Sequence, residues 1–454
     1  MPKVDTFLAN ATLVTHEGQF SGGLGITAGK VSHVIHGDER IAAEETLDVR
    51  GKWVMPGLVD SHVHFNEPGR ESWEGYAAGT RAAAAGGITT ILEMPFNATP
   101  PTSTAELLRA KRAVVQNQCV VDYGQWGGLE AHNHAELTGM HAEGVIAFKA
   151  FMCNSGIDFE QVGTFDLLRG MEIAAQLGNV VGVHAENEDW TRGLAQRLQA
   201  AGRVDPRAWA ESRPPGAEIE ATQRAIAVAG YTGAKLHVVH VTLADGIKAI
   251  QAARAQGVDV TGETCPHYLT LDVDDLARLG PIAKCGPPLR VRAQVDALWR
   301  EVLQGHVDLI ASDHSPCPAD MKAKGDHDIW QAWGGITGIQ TMLPVLLTKG
   351  VHRRGLSPSA LVRMTSLHPT QRYGLFPRKG HLGVGADADV VVIDPEREWT
   401  LSTETLFSRH KQSPFAGCTF KGAVERTMVR GHTVYLNGEI TGAAGYGQLV
   451  RRIR

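Results

Sequence analysis

The sequence feature that most limits the choice of fold is a rhythm repeated eight times, in which a short apolar run is followed by a turn signal and a longer stretch with helical spacing. The apolar runs are Leu58–Phe65, Ile88–Met94, Val120–Trp126, Val145–Phe151, Val180–His184, Lys235–Val241, Val258–Thr264 and Val307–Asp313. The clearest helical stretches are Trp73–Ala85, Thr104–Val115, Phe165–Leu177, Ala221–Ala229, Ala244–Ala255 and Gln294–Leu303. Eight β-α units match a TIM-like (β/α)8 barrel, whereas a doubly wound sheet needs fewer strands and a glycine-rich first turn. We therefore predict an α/β chain built around such a barrel.

The two ends of the chain have a different sequence pattern, in which short runs of alternating apolar and polar residues are broken by glycine-rich turns. These runs are Phe7–Val14, Gly25–His36, Gly383–Asp394, Met428–Val434 and Val434–Gly438. Because this sequence pattern is similar at both ends, we expect the ends to pair into one small β-sandwich. The predicted division is residues 1–55 plus 378–454 for this discontinuous domain and 56–377 for the catalytic barrel.

Composition excludes several classes of function. A chain of 454 residues can bury a core that needs no disulfide or structural metal, so we expect any metal to serve chemistry. Its 44 Lys and Arg oppose 49 Asp and Glu without long blocks of one sign, so we expect no nucleic-acid partner. The six cysteines form no C-x-x-C pair, and the first residues do not resemble a signal peptide. No apolar stretch approaches the roughly 18 residues that cross a bilayer, so we predict a cytoplasmic protein outside the membrane.

The chemistry of such barrels lies at the carboxyl ends of the strands, so the residues that end the eight runs are the candidates for function. Four imidazoles, one carboxylate and one lysine occupy these places: His62, His64, Lys149, His184, His240 and Asp313. We expect the six side chains to meet at one end of the barrel. Imidazole and carboxylate oxygen ligands without thiolate suit zinc, and they also suit iron, cobalt or manganese.

Taken one at a time, these residues also have ordinary structural explanations. His62 and His64 are two apart, which places both on one face of a strand, but strand histidines also occur without a metal. His184 and His240 are equally consistent with hydrogen-bonded core histidines. His237 is three residues from His240, so on a strand the two would face opposite sides and only one could be a ligand. Asp313 is also consistent with a cap for the following helix.

Lys149 is the most informative of the six, because it stands between Phe148 and Phe151 on a strand that should be buried. A buried lysine has to lose its charge, pair with an anion or be chemically modified. It can also reach an exposed strand end with its long side chain. A neutral lysine amine can add carbon dioxide and become a carbamate, which is an anionic ligand able to bridge two cations.

Several motifs together resemble the cyclic amidohydrolases of the amidohydrolase superfamily, and among them most closely the allantoinase group. The motifs begin at Pro56 (PGLVDSHVH), Phe65 (FNEPGR), Phe148 (FKAF), Val183 (VHAE), Glu263 (ETCPHYL), Ser312 (SDHSP) and Gly383 (GVGADADVV). They span nearly the whole chain. The resemblance implies a (β/α)8 barrel with a small β-sandwich, and a hydrolase that opens cyclic amides.

Carried over position by position, the resemblance implies two divalent metal ions, most consistent with zinc, in each chain. His62 and His64 would bind the first ion, His184 and His240 the second, and a carboxylated Lys149 would bridge them. Asp313 would ligate the first ion and act as the general base. It also suggests a homo-oligomer, most simply a homotetramer.

Two departures from sister groups indicate the substrate. In this comparison dihydroorotases have an arginine where this chain has Asn66, which argues against an anionic ring. Dihydropyrimidinases and hydantoinases have a tyrosine where this chain has Asn154. The segment 332–336 (AWGGI) resembles the allantoinase group, although Gly286 stands where that group usually has serine. We expect substrate contacts from Asn97, Cys153, Gly286 and Ser315, all near predicted strand ends.

These inferences predict an enzyme whose small-molecule substrate is allantoin, with its hydantoin ring opened to allantoate in purine catabolism. A hydantoinase or dihydropyrimidinase is the alternative enzyme. A non-catalytic scaffold of the same fold is the alternative from another class, but such scaffolds typically lose metal ligands, and all six positions are filled here.

Overall fold

The computed structural model describes residues 3–453. The chain begins with five strands: β1 (Val4–Val14), β2 (Gln19–Thr27), β3 (Lys30–His36), β4 (Ala43–Asp48) and β5 (Trp53–Pro56). β2 and β3 pair antiparallel through a tight turn at Ala28 and Gly29, which both have positive φ. The run Gly25–His36 is therefore two strands with a turn between them, as the glycine at position 29 predicts.

Nine short strands form the barrel: β6 (Leu58–Val63), β7 (Ile88–Glu93), β8 (Asp122–Gln125), β9 (Gly127–Gly128), β10 (Phe148–Phe151), β11 (Val180–His184), β12 (Lys235–Val238), β13 (Val260–Thr264) and β14 (Leu309–Ile310). Trp126 alone separates β8 from β9, so the nine strands occupy eight positions around the barrel. Their neighbours pair in parallel. The ring closes where the His64 N–H donates to the His314 carbonyl at 2.8 Å. The predicted (β/α)8 barrel is confirmed.

The helices are α1 (Tyr76–Ala85), α2 (Ala105–Val115), α3 (Leu137–Ala142), α4 (Thr164–Leu177), α5 (Glu188–Ala200), α6 (Pro206–Glu211), α7 (Pro215–Thr232), α8 (Ala244–Ala255), α9 (Val273–Leu279), α10 (Arg292–Leu303), α11 (Ala319–Ala323), α12 (Met342–Val345), α13 (Pro358–Val362) and α14 (His368–Arg372). π-Helical turns at Leu346–His352 and Arg363–Leu367 extend α12 and α13. Single 3-10 turns occupy His134–Glu136, Gly280–Ala283, Ile329–Gln331, Ile339–Thr341 and Thr403–Thr405. All six predicted helices are present. α7 begins well before Ala221, because Pro215 suits the first position of a helix.

The last strands are β15 (Val390–Thr400), β16 (Thr419–Val429), β17 (His432–Leu436) and β18 (Glu439–Ile440). β15 pairs antiparallel with β5, so both chain ends join one nine-stranded sheet in the order β18-β17-β16-β15-β5-β1-β2-β3, with β4 on β1. The predicted run Gly383–Asp394 was too long, because its first half makes loop hydrogen bonds to residues 29–31. The run Met428–Val434 was wrong as one strand, since Arg430 and Gly431 turn with positive φ. The domain boundaries at residues 55 and 378 stay a prediction.

One apolar core runs from the barrel to the inner face of the terminal sheet, including Leu58, Ile91, Val391 and Phe420. The segment after β18 returns to the barrel, where the Val450 N–H donates to the Tyr123 carbonyl at 2.8 Å. Among residues 3–453, no helix has both the length and the apolar character needed to cross a membrane.

Candidate metal centre and substrate cavity

The six predicted side chains do meet at the carboxyl end of the barrel. Lys149 lies within β10 and His184 is the last residue of β11, whereas His240 comes two residues after the end of β12 and Asp313 three residues after the end of β14. His240 and Asp313 have positive φ angles of 41° and 44°. Non-glycine residues rarely adopt this conformation and often do so at functional sites, where the surrounding structure holds it in place. All six side chains are buried.

His240 lies beside the imidazoles of His62 and His184 and His237 does not, but strand alternation is not the reason. β12 ends at Val238, so strand alternation no longer applies at His240. His237 Nε2 lies 3.4 Å from Glu263 Oε2, and the same carboxylate contacts His62. His237 and His62 are therefore linked through the carboxylate of Glu263. His240 lies beside the other candidate ligands, whereas His237 contacts the carboxylate of Glu263, which lies behind those ligands.

Asp313 is the centre of the first group of candidate ligands. Its Oδ1 atom lies 3.3 Å from the Nε2 atoms of both His62 and His64. The candidate ligand atoms of these three residues lie within 4.8 Å of one another. The ring centroid of His240 is 5.4 Å from that of His62 and 4.6 Å from that of His184. Four imidazoles and one carboxylate thus form one continuous cluster.

Lys149 adjoins this cluster without an anionic partner of its own. Among the described residues, its Nζ atom makes no hydrogen bond. The ring centroids of Phe151 and Phe96 lie 5.1 Å and 5.7 Å from Nζ. Burial lowers the pKa of Lys149 to about 7, because desolvation penalises the charged ammonium. A substantial share of this amine is therefore neutral near pH 7.

Two buried carboxylates orient the histidines from behind, and the sequence interpretation had assigned them no role. Glu263 accepts from His62 Nδ1 at 2.8 Å, and Glu186 accepts from His184 Nε2 at 2.7 Å. An imidazole that donates one N–H outward presents the lone pair of its other nitrogen inward. Burial alone raises the pKa of Glu186, but Arg213 and His184 hold it at about 2. The available signal was the spacing of Glu186, two residues after His184 in VHAE.

The residues present fit divalent cations. His240 Nδ1 is buried and, within the described part of the chain, has no hydrogen-bond partner, and the same holds for Lys149 Nζ. Leaving such polar atoms unpaired costs about 1–3 kcal/mol each. Imidazoles facing a carboxylate, with a neutral lysine amine beside them, form a donor set that a cation would satisfy.

A cavity of about 560 Å³ opens above this cluster, and three of the four predicted substrate contacts line it: Asn97, Gly286 and Ser315. Asn97 Nδ2 lies 3.5 Å from Ser315 Oγ. Cys153 does not belong to the cavity wall, because its sulfur lies behind it within 4.8 Å of the candidate ligand atoms of His184 and Glu186. A Cβ atom on Gly286 would meet nothing closer than Trp209 at 4.0 Å, so glycine is not sterically required there.

Asn66, Arg70 and Arg290 do not line the cavity. Asn66 is fully buried, with Nδ2 3.4 Å from the Pro316 carbonyl. Arg70 donates to Asp158 at 2.7 Å, and Arg290 donates to the buried Glu218 at 2.8 Å. The cations in the wall are instead Arg192, Arg213 and Lys284, and Asn154 lies there too. No sequence signal pointed to these three, because loops far apart along the chain bring them together.

A closed barrel with buried histidines, a carboxylate and a lysine at the floor of a cavity is the framework of a barrel hydrolase. The chain belongs to the amidohydrolase family, whose sequence model matches residues 53–434. The resemblance inferred from the motifs is thereby confirmed.

Individual relatives and solved structures show which members of the family the chain is similar to. The chain is 46% identical to a curated allantoinase of Rubrobacter xylanophilus, over 93% of this chain and 92% of that protein. It is 44% identical to the allantoinase of Deinococcus radiodurans, over 99% of each. Among solved structures, it superposes on the L-hydantoinase (dihydropyrimidinase) of Arthrobacter aurescens with a TM-score of 0.97 and 36% identity, covering 99% of this chain and 100% of that one. The dihydropyrimidinase of Brevibacillus agri gives 0.91 and 32%, with 98% of each chain covered.

Proposed function

We propose that the protein opens the hydantoin ring of allantoin by hydrolysis to give allantoate, a step of purine catabolism. The observation that carries this proposal is the cavity above Asp313, in which the wall cations already have partners. Arg192 pairs with Asp189 and Arg213 with Glu186, while Lys284 donates to backbone carbonyls and burial lowers its pKa to about 7. Such a wall suits a neutral polar ring better than an anionic one, because a desolvated anion needs a cation whose charge is not already neutralised. The curated relatives at 44–46% identity bear the same activity in their names.

We further propose that the cluster holds two divalent cations, zinc being the best match to its ligands and iron, cobalt or manganese also satisfying them. His62 and His64 would hold one ion together with Asp313, and His184 and His240 would hold the other. Bound cations of this kind supply Lewis acidity, which polarises a carbonyl and favours deprotonation of water at neutral pH.

Lys149 is proposed to bridge the two ions as a carbamate. Its neutral amine attacks carbon dioxide, an N–C bond forms, and the nitrogen loses a proton to solvent. The product is an anion that replaces a nearly neutral amine. The lowered pKa of Lys149 supports this step, since only the unprotonated amine has the electron pair to attack.

Asp313 is proposed to move the proton. Its Oδ1 atom faces His62 and His64 at the floor of the cavity, where it can accept a proton from the attacking water and deliver it to the departing amide nitrogen. Burial raises the pKa of Asp313 and so makes it a better acceptor. Asn97, Ser315 and the backbone at Gly286 are proposed to bind the ring. Cys153, behind the wall, is proposed to act only by packing against Arg213 and Glu186.

A hydantoinase or dihydropyrimidinase is the second candidate, because solved structures with those titles share the whole fold. A substrate panel on the metal-loaded enzyme separates the candidates. We expect kcat/KM for allantoin to exceed that for unsubstituted hydantoin and for dihydrouracil by ~10²-fold or more, since polar groups that bind the ureido arm would be left unpaired without it. We expect no turnover of dihydroorotate. Comparable rates on dihydrouracil would support the second candidate, and efficient turnover of dihydroorotate would refute the argument from a neutral wall.

A cytoplasmic homotetramer is also part of the proposal. Its support is the resemblance of the sequence and the six free thiols, of which only Cys418 is exposed. Light scattering of the purified enzyme tests the tetramer, and a dimer or monomer would contradict it.

A further inference from the structure

Arg213 lies in the loop between α6 and α7 and connects the cavity wall to the metal-ligand cluster. Its Nη1 donates to Glu186 Oε2 at 2.5 Å, and the same oxygen accepts from His184 Nε2 at 2.7 Å. Its side chain is 15% exposed, and the surface that it exposes lines the cavity. One carboxylate thus separates this guanidinium from a candidate metal ligand.

Among the wall cations, Arg213 is the one that combines burial with unused donors. A guanidinium has five N–H donors, and among the described residues the side-chain hydrogen bond of Arg213 goes to Glu186. The ammonium of Lys284 has three donors, which the carbonyls of Ile329, Ala332 and Trp330 accept at 2.8, 2.7 and 3.4 Å. The side chain of Arg192 is 59% exposed and pairs with Asp189 at the rim.

The surroundings of Arg213 also determine which kind of group it can bind. Glu186 neutralises its charge, so the remaining N–H groups are directional donors without a net field that would attract an anion. The guanidinium carbon lies 4.5 Å from the ring centroid of Trp209, and the indole N–H of Trp209 is fixed on the Cys285 carbonyl at 2.7 Å. Stacking on a fixed ring restricts the plane of the guanidinium. A neutral carbonyl acceptor in that plane is the matching ligand.

We propose that Arg213 determines specificity by donating hydrogen bonds to the carbonyl oxygen of a neutral urea-type arm on the substrate ring. The inference rests on the proposed function, and it assigns the arm to one wall of the same cavity. Arg213 thereby adds selectivity without taking part in bond cleavage.

The test compares Arg213→Met with the matched control Arg278→Met, which makes the same change at an exposed arginine that pairs with Asp275 outside the cavity. The substrates are allantoin, unsubstituted hydantoin and 5-isobutylhydantoin, whose arm is apolar. For Arg213→Met we expect kcat/KM on allantoin to fall about 10- to 100-fold, the range for losing a hydrogen bond to a charged group. We expect hydantoin and 5-isobutylhydantoin to change much less, and the metal content per chain to stay the same. Arg278→Met should behave as wild type, and Arg213→Lys should recover part of the loss.

Equal losses on all three substrates, or loss of metal, would overturn the inference, because Arg213 would then act only through Glu186 and His184. Thermal unfolding of Arg213→Lys and Arg213→Met shows whether either variant has a folding defect. If one has, the inhibition constant of allantoin against hydantoin hydrolysis, measured in the better-folded variant, tests the inference. If the wild type hydrolyses hydantoin but not allantoin, the proposed function fails by itself. In that case allantoin is used as an inhibitor of hydantoin hydrolysis: a weaker inhibition constant in the Arg213 variant supports the inference, and an unchanged constant overturns it.

Discussion

Two lysines buried in different parts of the molecule have opposite surroundings. Lys149, at the carboxyl end of the barrel, is 0% exposed and has no hydrogen-bond partner among the described residues. Lys379, between the barrel and the terminal sheet, is 1% exposed and donates to Asp122 at 2.8 Å and to Asp389 at 2.5 Å. Asp387 lies 3.3 Å from the same ammonium, and Arg430 pairs with Asp122.

The difference shows how the same residue type serves chemistry in one region and architecture in the other. Burial disfavours both ammonium groups, but the three carboxylates around Lys379 outweigh this effect and raise its pKa. Around Lys149 nothing outweighs it, and the pKa falls to about 7. A lysine left in this state contributes little to stability and is available as a nucleophile. The matched cluster of Lys379 instead fixes the start of β8 to the segment before β15.

The largest expected effect is that of Lys149→Met on catalysis. Because the variant cannot form the proposed bridge between the two cations, we expect kcat to fall by about 10³-fold or more. In the metal-free form we expect the free energy of unfolding to be unchanged or higher, since an unpaired buried amine is replaced by an apolar side chain. Short carboxylic acids should restore part of the activity of a Lys149→Ala variant. Wild-type turnover in either variant would refute the bridging role.

Lys379→Met should show the reverse pattern. The change leaves three buried carboxylates without their shared cation, so we expect a loss of about 3–5 kcal/mol in the free energy of unfolding. The turnover number per folded, metal-loaded molecule should stay near that of the wild type. Denaturant unfolding and steady-state kinetics on the same sample check both halves. A variant as stable as the wild type would show that the cluster is not architectural.

Asp313→Asn should have an intermediate effect on catalysis. The amide keeps much of the shape of the carboxylate but cannot accept the proton, and we expect kcat to fall by ~10²-fold. Elemental analysis should find a smaller change in metal content. If metal and activity disappear together, Asp313 acts mainly as a ligand and its assignment as base fails.

The smallest expected effect is the pH dependence of the Lys379 cluster. Although burial alone raises their pKa values, Lys379 and the neighbouring cations hold the pKa values of Asp122 and Asp387 below the ordinary range. A carboxyl with a lowered pKa stabilises the fold above its unfolded pKa of about 4, and this stabilisation is lost as pH falls through the folded pKa. The raised pKa of Lys379 stabilises the fold below about 10.4, and that contribution is lost as pH rises through the folded pKa.

The difference in unfolding free energy between the wild type and Lys379→Met should therefore be largest between about pH 5 and 10 and should shrink on both sides. Unfolding curves of the two metal-free proteins, measured within this range and on both sides of it, test this. A difference that does not vary with pH would mean that packing, rather than charge, accounts for the effect of the substitution.

The sequence could predict the ends of the barrel strands, and with them most of the cluster. Because parallel strands bring their carboxyl ends to one rim, Lys149 and Asp313 could be placed together from periodicity alone. The left-handed backbone at His240 and Asp313 could not be predicted, since it depends on contacts that close the rim.

Contacts between residues far apart along the chain could not be predicted from the sequence either. Glu263 orients His62 across 201 residues, and Lys379 reaches Asp122 across 257. The position of Arg213 depends on how α6 and α7 pack over the cavity, and no local pattern encodes that packing. Local periodicity therefore predicted the barrel and the candidate ligands, but not the distant charged side chains that orient those ligands and shift their pKa values.

The measurement that tests the central claim most directly is carbon-13 NMR of the metal-loaded enzyme after exchange with labelled bicarbonate. We predict one carbamate carbon per chain in the wild type, the same signal in Lys379→Met and no signal in Lys149→Met. An active, metal-loaded wild type without a carbamate signal, or a signal that persists in Lys149→Met, would contradict the account of Lys149.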